Sequence, residues 1–515
     1  MATRWDGGRN GSAWWWAAAC ACWGVAGLTV GSLDLAAAVE SDWSEFRGPN
    51  LSGTLADAGP LPAELTPDNR LWSTELPGPG LSSPILVGDK IFLTCWTGYG
   101  MGAGPAGDPA DLRRHLVCLA RSSGKILWKS TVQTDAAEIP YGGMLAQHGY
   151  ASHTPTSDGE TVYAYFGKAG LVAYDLDGNE KWKTILGTGN DPRAWGSASS
   201  PVLLGDKILV NAAPEAGAMF AVDKANGKVL WKTEAEKLGG TWATPVVATV
   251  DGTSEVVLPV TGEVWGINPD NGKLRWLVRT DAGRSTSASC LVHGGLVYAH
   301  QGSTLYAIKP GGSGDVTDSH IAWQARSGQG SIPTDVIAGD RIYSLASGIL
   351  TIHDLATGKE VAQTRVKASA APSGGPGGPP PGGAAPGERG PGGPGNGGPG
   401  GRPGGPGAGG PGGPGGPGPG GPGGPGGGPG GPGGRGGGGR GGFGSQDYAS
   451  PIAADGKLYL TSRSGTITVV KLGTEGEVIA TNDLSDGGDW SSTPAVGDGV
   501  IYVRSTKAIA AYGSK

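Results

Sequence analysis

The sequence predicts an all-β protein: an eight-bladed β-propeller of four-stranded antiparallel blades, closed by an N-terminal strand and interrupted by one disordered Gly/Pro-rich insertion. Three observations predict it. A phrase ending in tryptophan recurs as GKILW, NEKW, GKVLW, GKLRW and HIAW, with Trp128, Trp182, Trp231, Trp276 and Trp323 spaced 54, 49, 45 and 47 residues apart. A period in that range, filled with short β-type runs, marks a propeller or solenoid. Gly-Asp and Asp-Gly pairs sit between alternating apolar runs, as in SSPILVGDKIFLTCW from Ser82, and this is the strongest short-range hairpin signal. That hairpin unit returns eight times, beginning at Ser82, Thr154, Ser199, Thr244, Ser289, Pro333, Ser450 and Thr493.

Each unit continues into a third strand and a turn, as in LVAYDLDGNEKW, FAVDKANGKVLW, VWGINPDNGKLRW and LTIHDLATGKEVA. Val172, Val222 and Ile267 point inward on the third strand. Asp175, Asp223, Asn268 and Asp354 then open the turn, and Gly178, Gly227, Gly272 and Gly358 supply permissive backbone. The tryptophan that follows starts the outer strand, where its large flat side chain docks against the neighbouring blade. The eighth unit runs out at Tyr512 without an outer strand. RLWSTEL, residues 70–76, reads as an outer strand with no inner ones before it, so it is expected to complete blade eight, with Trp72 as the docking residue and no sheet edge left open.

Residues 1–40 read as a signal peptide or N-terminal anchor: Arg4 and Arg9, an apolar stretch Ala13–Val30, then Ala36, Ala37 and Ala38 as small residues for cleavage. Residues 41–69 are a lead-in. Residues 70–370 carry blades one to six, with 70–76 set aside for blade eight, and residues 447–515 carry blades seven and eight. Between them, 371–446 is dominated by Gly and Pro. Its three-residue period breaks at PGPGG and GGGPGG, which a collagen helix does not tolerate, and it has too few side chains to offset its ordering entropy. Such a tract is tolerated in a surface loop at little entropic cost.

The chain of 515 residues carries a net charge of −6. Arg389, Arg402, Arg435 and Arg440 against Glu388 make the tract +3, so the remainder sums to −9, which argues against nucleic acid as a partner. Of five cysteines, Cys95, Cys118 and Cys290 follow the targeting segment, an odd number that gives no disulfide framework. Cys95 and Cys118 lie on neighbouring strands, either as a pair or as two buried thiols. No haem attachment motif, nucleophile elbow, zinc-protease motif or P-loop is present. GGMLAQHG, with no helix expected after it, is a loop. His148 and His153 are five apart on extended chain, where side chains alternate, so they do not form a metal pair.

The pattern of AVDKANGKVLW at Ala221–Trp231, with WSEFRGPN at Trp43–Asn50, resembles the pyrroloquinoline-quinone-like repeat family across residues 43–515 apart from the tract. The resemblance implies the propeller fold and an extracytoplasmic setting, in the periplasm or cell envelope. Its members include quinoprotein alcohol and glucose dehydrogenases and the propeller lipoprotein of the outer-membrane assembly machine, which binds protein partners. The alcohol dehydrogenases hold quinone beside an adjacent cysteine pair with a bound calcium. This chain has no such pair after residue 40 and resembles the assembly propeller more. It is therefore expected to be a monomeric, non-enzymatic scaffold for an envelope protein or peptide, with no cofactor. Small-molecule or glycan binding, or PQQ- and calcium-dependent dehydrogenation, is the alternative.

Propellers bind ligands where the loops leading into the inner strands converge. Here those loops carry His148, Tyr150, His153, Arg193, Trp195, Trp242, Arg284, Tyr448, Asp489 and Trp490. Aromatics mixed with Arg and His, arriving from different blades, are the composition of a recognition surface. The alternative role for Trp195, Trp242 and Trp490 is to cap the core between blades.

Overall fold

The structure, a computed structural model, describes residues 43–101, 104–281, 286–327, 332–366 and 447–514. Residues 1–40, expected to be a targeting segment or anchor, the Gly/Pro tract 371–446 and Arg284 lie outside the described residues. Eight sheets follow one another along the chain, each built on four antiparallel strands. Blade 1 comprises Ile85–Val87, Lys90–Thr97, Arg113–Ala120 and Ile126–Val132, and blades 2 to 7 repeat this order, inner strand first. Blade 8 takes Ala495–Gly497, Val500–Arg504 and Ala508–Gly513 from the C-terminus and Arg70–Glu75 from the N-terminal side, with Trp72 opposite Ala511. The ring therefore closes as the missing outer strand required, and Trp72 packs 6.0 Å from Tyr502.

The outer strand of every blade begins with a register shift against the third strand, between Cys118 and Leu119 in blade 1 and at the equivalent place in the other seven. Such a bulge bends a strand and re-aims its side chains. Here it sends the tryptophan across the seam. Its indole N–H donates to a turn carbonyl of the next blade: Trp72 to Arg121, Trp128 to Leu176, Trp182 to Lys224 and Trp231 to Pro269, at 3.0, 3.1, 3.1 and 2.7 Å. The residue two places on repeats the bond, Thr184 Oγ1 donating to Gly227 O at 2.6 Å. The turn glycine is required on both counts. Gly227 has φ 75° and a Cβ there would lie 2.5 Å from the Trp182 ring. Asp175 Oδ1 accepts from the amides of Asp177 and Asn179, as its place at the head of the turn predicts.

Trp276 departs from this pattern. It lies opposite Gly266 of its own blade, where any Cβ would sit 2.0 Å from the indole, and it donates to Glu255 Oε2 at 2.6 Å instead of crossing the seam.

The lead-in is more than a connector. Trp43 and Arg47 are fully buried. Trp43 O accepts from Leu86 N of blade 1 at 2.8 Å, and Ser44 O from Ser157 N of blade 2 at 3.0 Å. The Arg47 guanidinium donates to the carbonyls of Leu51, Ser52, Thr334 and Asp335. Thr54–Leu55 then adds in parallel to the inner strand of blade 7. The segment thus crosses from blades 1 and 2 to blades 6 and 7 and plugs the axis. This is the structural use of the WSEFRGPN sequence.

One smaller point differs from the sequence reading, and one alternative left open there is decided. GGMLAQHG contains a single helical turn, Leu145–His148. Cys95 opposes His115 while Cys118 opposes Phe92, so the two thiols face opposite sides of the blade 1 sheet. They are free and buried, as is Cys290.

Candidate functional site

Above the plug the lead-in loops surround a cavity of about 410 Å³ whose wall includes Phe46 of the plug. Its floor follows from one repeated sequence feature. Each inner strand is preceded by a serine or threonine: Ser83, Thr154, Ser200, Thr244, Ser289, Thr334, Ser450 and Thr493, all on the wall of the cavity. The backbone N–H of each donates to the hydroxyl of the next, from Ser83 to Thr154 and on round to Ser450 and Thr493, in seven bonds of 2.9 to 3.1 Å. The eighth junction is closed differently. Arg504 donates to Ser82 O at 2.7 Å and Thr94 O at 2.8 Å, and Ser492 Oγ donates to Ser82 O at 3.0 Å. Burial lowers the Arg504 pKa to about 10.

Four of the ten residues expected at the recognition face line this cavity: His148, Trp195, Trp242 and Tyr448. Trp195 and Trp242 lie with ring centroids 5.0 Å apart. Arg193 stacks over both from the exposed side, at 5.5 and 5.6 Å. Trp242 Nε1 donates to Gly196 O at 2.6 Å, and His148 Nε2 donates to Trp195 O at 2.5 Å, so the shelf is held by two blades. Burial pushes the His148 pKa down, keeping it neutral.

The others sit elsewhere. Tyr150 is buried between blades 1 and 2, donating to Ile139 O at 2.7 Å. His153 faces a small second cavity shared with Arg114, Glu138, Lys168 and Glu215. Its Nε2 lies 2.9 Å from Ser197 Oγ, and burial takes its pKa down to about 3. Asp489 is bound by Arg463 at 2.5 Å. Trp490 belongs to the core of blades 7, 8 and 1, with Nε1 donating to Asp486 Oδ1 at 3.1 Å.

One group on the wall was not singled out in the sequence. His300, on the second strand of blade 5, has Nδ1 3.2 Å from Asp335 Oδ2, and both side chains are almost wholly buried. Burial alone would lower the His300 pKa, but the Asp335 carboxylate overrides it and holds the imidazole above its ordinary value. Its Nε2 has no hydrogen-bond partner among the described residues. The only sequence signal was a polar pair, His300-Gln301, ending a strand that is otherwise apolar. Among the described residues no Asp or Glu side chain lines the cavity. A calcium ion demands six to eight hard oxygen ligands, mostly carboxylates and carbonyls. The described wall therefore does not fit the quinone–calcium pair.

The family model described as outer membrane protein assembly factor BamB matches residues 69–240 and 221–374. Among curated proteins the chain is similar to a polyvinylalcohol dehydrogenase of Pseudomonas sp, 25% identical over 41% of this chain and 47% of that protein. A polyvinylalcohol dehydrogenase of Sphingopyxis sp. is 23% identical over 40% of this chain and 35% of that protein. The chain thus spans about half the length of these relatives or less. Among solved structures, BamB from Moraxella catarrhalis covers 87% of this chain and 97% of its own, at 12% identity and TM-score 0.50. Quinohemoprotein alcohol dehydrogenase from Comamonas testosteroni covers 93% and 82%, at 10% identity and TM-score 0.54. These likenesses show the eight-bladed fold. No helix among the described residues is long and apolar enough to cross a membrane. With more than half of the chain matched, this protein belongs to the BamB-like family of PQQ-type propellers.

Proposed function

We propose that this chain is an exported binding propeller of the cell envelope that holds a chain-like ligand in its axial funnel. The observation that carries the reading is the funnel itself: a concave site of about 410 Å³ with the Trp195–Trp242 shelf on one side and buried polar groups on the floor. That size and make-up fit a small-molecule or oligomer site, mostly apolar with a few placed polar groups, better than a flat protein interface. Arg193 stacked on the shelf rigidifies it. A pyranose or polyalcohol segment laid on the indoles would bury its C–H face there. The names of the two curated relatives, polyvinylalcohol dehydrogenases, point to hydroxyl-bearing chains as the class to try first.

Protein partners in the envelope are the second reading, favoured by the description of the family model. The test is titration of the tryptophan fluorescence with short oligosaccharides, poly(vinyl alcohol) oligomers and peptides from unfolded outer-membrane proteins. Saturable quenching by the hydroxylated chains, lost in Trp195→Ala at unchanged melting temperature, supports the funnel reading. Response to the peptides alone replaces it with the scaffold.

A further inference from the structure

The funnel has two unlike walls. The shelf of blades 3 and 4 is aromatic. The sector next to it, on blades 5 and 6, presents Ser289, His300, Gln301 and Thr334. The hydrogen-bond capacity of that sector is lopsided. The hydroxyl of Ser289 already accepts from Thr244 N, and that of Thr334 from Ser289 N, at 3.0 and 2.9 Å. Neither hydroxyl donates to any acceptor among the described residues, so each has an O–H proton to give. Gln301 Oε1 accepts from Thr286 Oγ1 at 3.2 Å, which leaves its amide hydrogens for another partner. His300 Nε2 is buried and has no partner among the described residues. Asp335 takes the Nδ1 side of the ring, and Arg47 lies behind it with its guanidinium on the backbone of Thr334 and Asp335. No described carboxylate faces the funnel, so an anionic group entering it meets no like charge among the described side chains.

We propose that the blade 5–6 sector, centred on His300 Nε2, is a docking site for a carboxylate on the ligand, and that the ligand is a uronic-acid-bearing glycan. An ionised carboxylate only accepts, through about four lone-pair positions. It would meet the imidazole N–H, the Gln301 amide and the two hydroxyls, while the sugar ring lies against Trp195 and Trp242. Asp335 is a positioning residue: it holds the imidazole in the orientation, and favours the protonation, that turns Nε2 into a donor. Charge-assisted bonds of this kind are about twice as strong as neutral ones. This inference rests on the funnel reading and specifies its ligand.

The experiment is isothermal titration of the full chain with digalacturonate and with its methyl ester, which keeps the ring faces and masks the acid. Digalacturonate is expected to bind about tenfold more tightly than the ester, a difference of about 1.4 kcal/mol. In His300→Gln that preference disappears while ester binding and the melting temperature stay as in the wild type. If His300→Gln fails to fold, Thr334→Ser and Thr334→Val decide: the serine keeps the preference and the valine loses it. Equal binding of acid and ester, both weakened by Trp195→Ala, overturns the carboxylate site and leaves the funnel reading intact. Binding of neither ligand at millimolar concentration, with peptides bound instead, overturns both.

Discussion

The outer seams and the inner ring of this propeller solve one problem, joining blade to blade, with different tolerance for exceptions. At the rim a tryptophan crosses to the next blade in four consecutive seams, from blade 8 to blade 4. The bond then lapses: Trp276 folds back on its own blade, Trp323 still docks on Gly358 of blade 6 but its Nε1 has no partner among the described residues, and blades 6 and 7 carry Ala362 and Ala480 opposite the third strand instead. At the axis seven junctions are identical, and the one exception is the closing seam, where a buried arginine replaces the hydroxyl. No seam lacks both devices. The rim works by area, which other apolar side chains can supply. The axis has no spare room, and each amide there needs a partner within reach.

The comparison breaks most sharply at Arg504. It holds two carbonyls next to or within blade 1 from blade 8, with the Ser492 hydroxyl sharing only the first, Ser82 O. Arg504→Met leaves Ser82 O with the Ser492 hydroxyl alone and Thr94 O with only the 3.4 Å bond from Ser82 Oγ, and is expected to cost about 2 kcal/mol, read as a lower denaturant midpoint at unchanged slope. A loss under about 1 kcal/mol would mean that the closing seam is held elsewhere, at the rim.

Next come the rim tryptophans. Trp182→Ala and Trp323→Ala both remove an aromatic wedge, each at about 2–4 kcal/mol. Trp182 also donates to Lys224 O, which Trp323 does not match. The first substitution should therefore be the worse by about 1 kcal/mol. Equal losses in urea unfolding would show that the seam bond contributes nothing beyond area.

The rim was legible in the sequence because its device is a single large residue at a fixed distance from a turn glycine. The closing strand was legible for the same reason, since Trp72 is a rim residue without inner strands. The axis was harder. The serine or threonine before each inner strand is visible in eight places, yet nothing in one dimension says that they meet in a ring. Trp490 and Trp242 occupy equivalent lead-in loops, but Asp486, four residues before Trp490, captures its N–H and turns it into the core. His300 lies mid-repeat on a strand, away from the loops where ligands are expected. Its meaning depends on Asp335, which follows the hydroxyl residue of the next blade. Arg47 is a lone basic residue until the plug is seen to thread the axis.

Acid titration tests the polar packing between the first blades. The folded-state pKa of His153 is about 3, below the ordinary value near 6.5. The unfolded chain therefore binds the proton first, and the stability from the neutral, buried ring is fully present above pH 6.5. It is lost as pH falls toward 3. His153→Gln should flatten the fall of unfolding free energy between pH 6.5 and pH 4 by up to about 3 kcal/mol. Glu45 of the plug acts in the opposite sense. Burial raises its pKa to about 7, so its contribution is present below the unfolded value of 4.5 and fades as pH rises toward 7. An unchanged acid limb in His153→Gln would move the cause to His115, whose pKa burial takes down to about 4.

The finest test separates backbone strain from seam contact within the rim. Gly205 has φ 59° with open space where a Cβ would go, whereas Gly227 has φ 75° and the Trp182 ring 2.5 Å away. Gly205→Ala pays only for the left-handed backbone, about 1 kcal/mol. Gly227→Ala adds displacement of the docked indole, for a total of about 2 kcal/mol. In a Trp182→Ala background that extra cost should vanish, because the ring that the new methyl would strike is gone. A cycle of the four proteins, read by urea midpoints, gives the coupling directly. If Gly227→Ala costs the same with and without Trp182, the glycine serves its turn alone and the period of the sequence reflects two independent constraints.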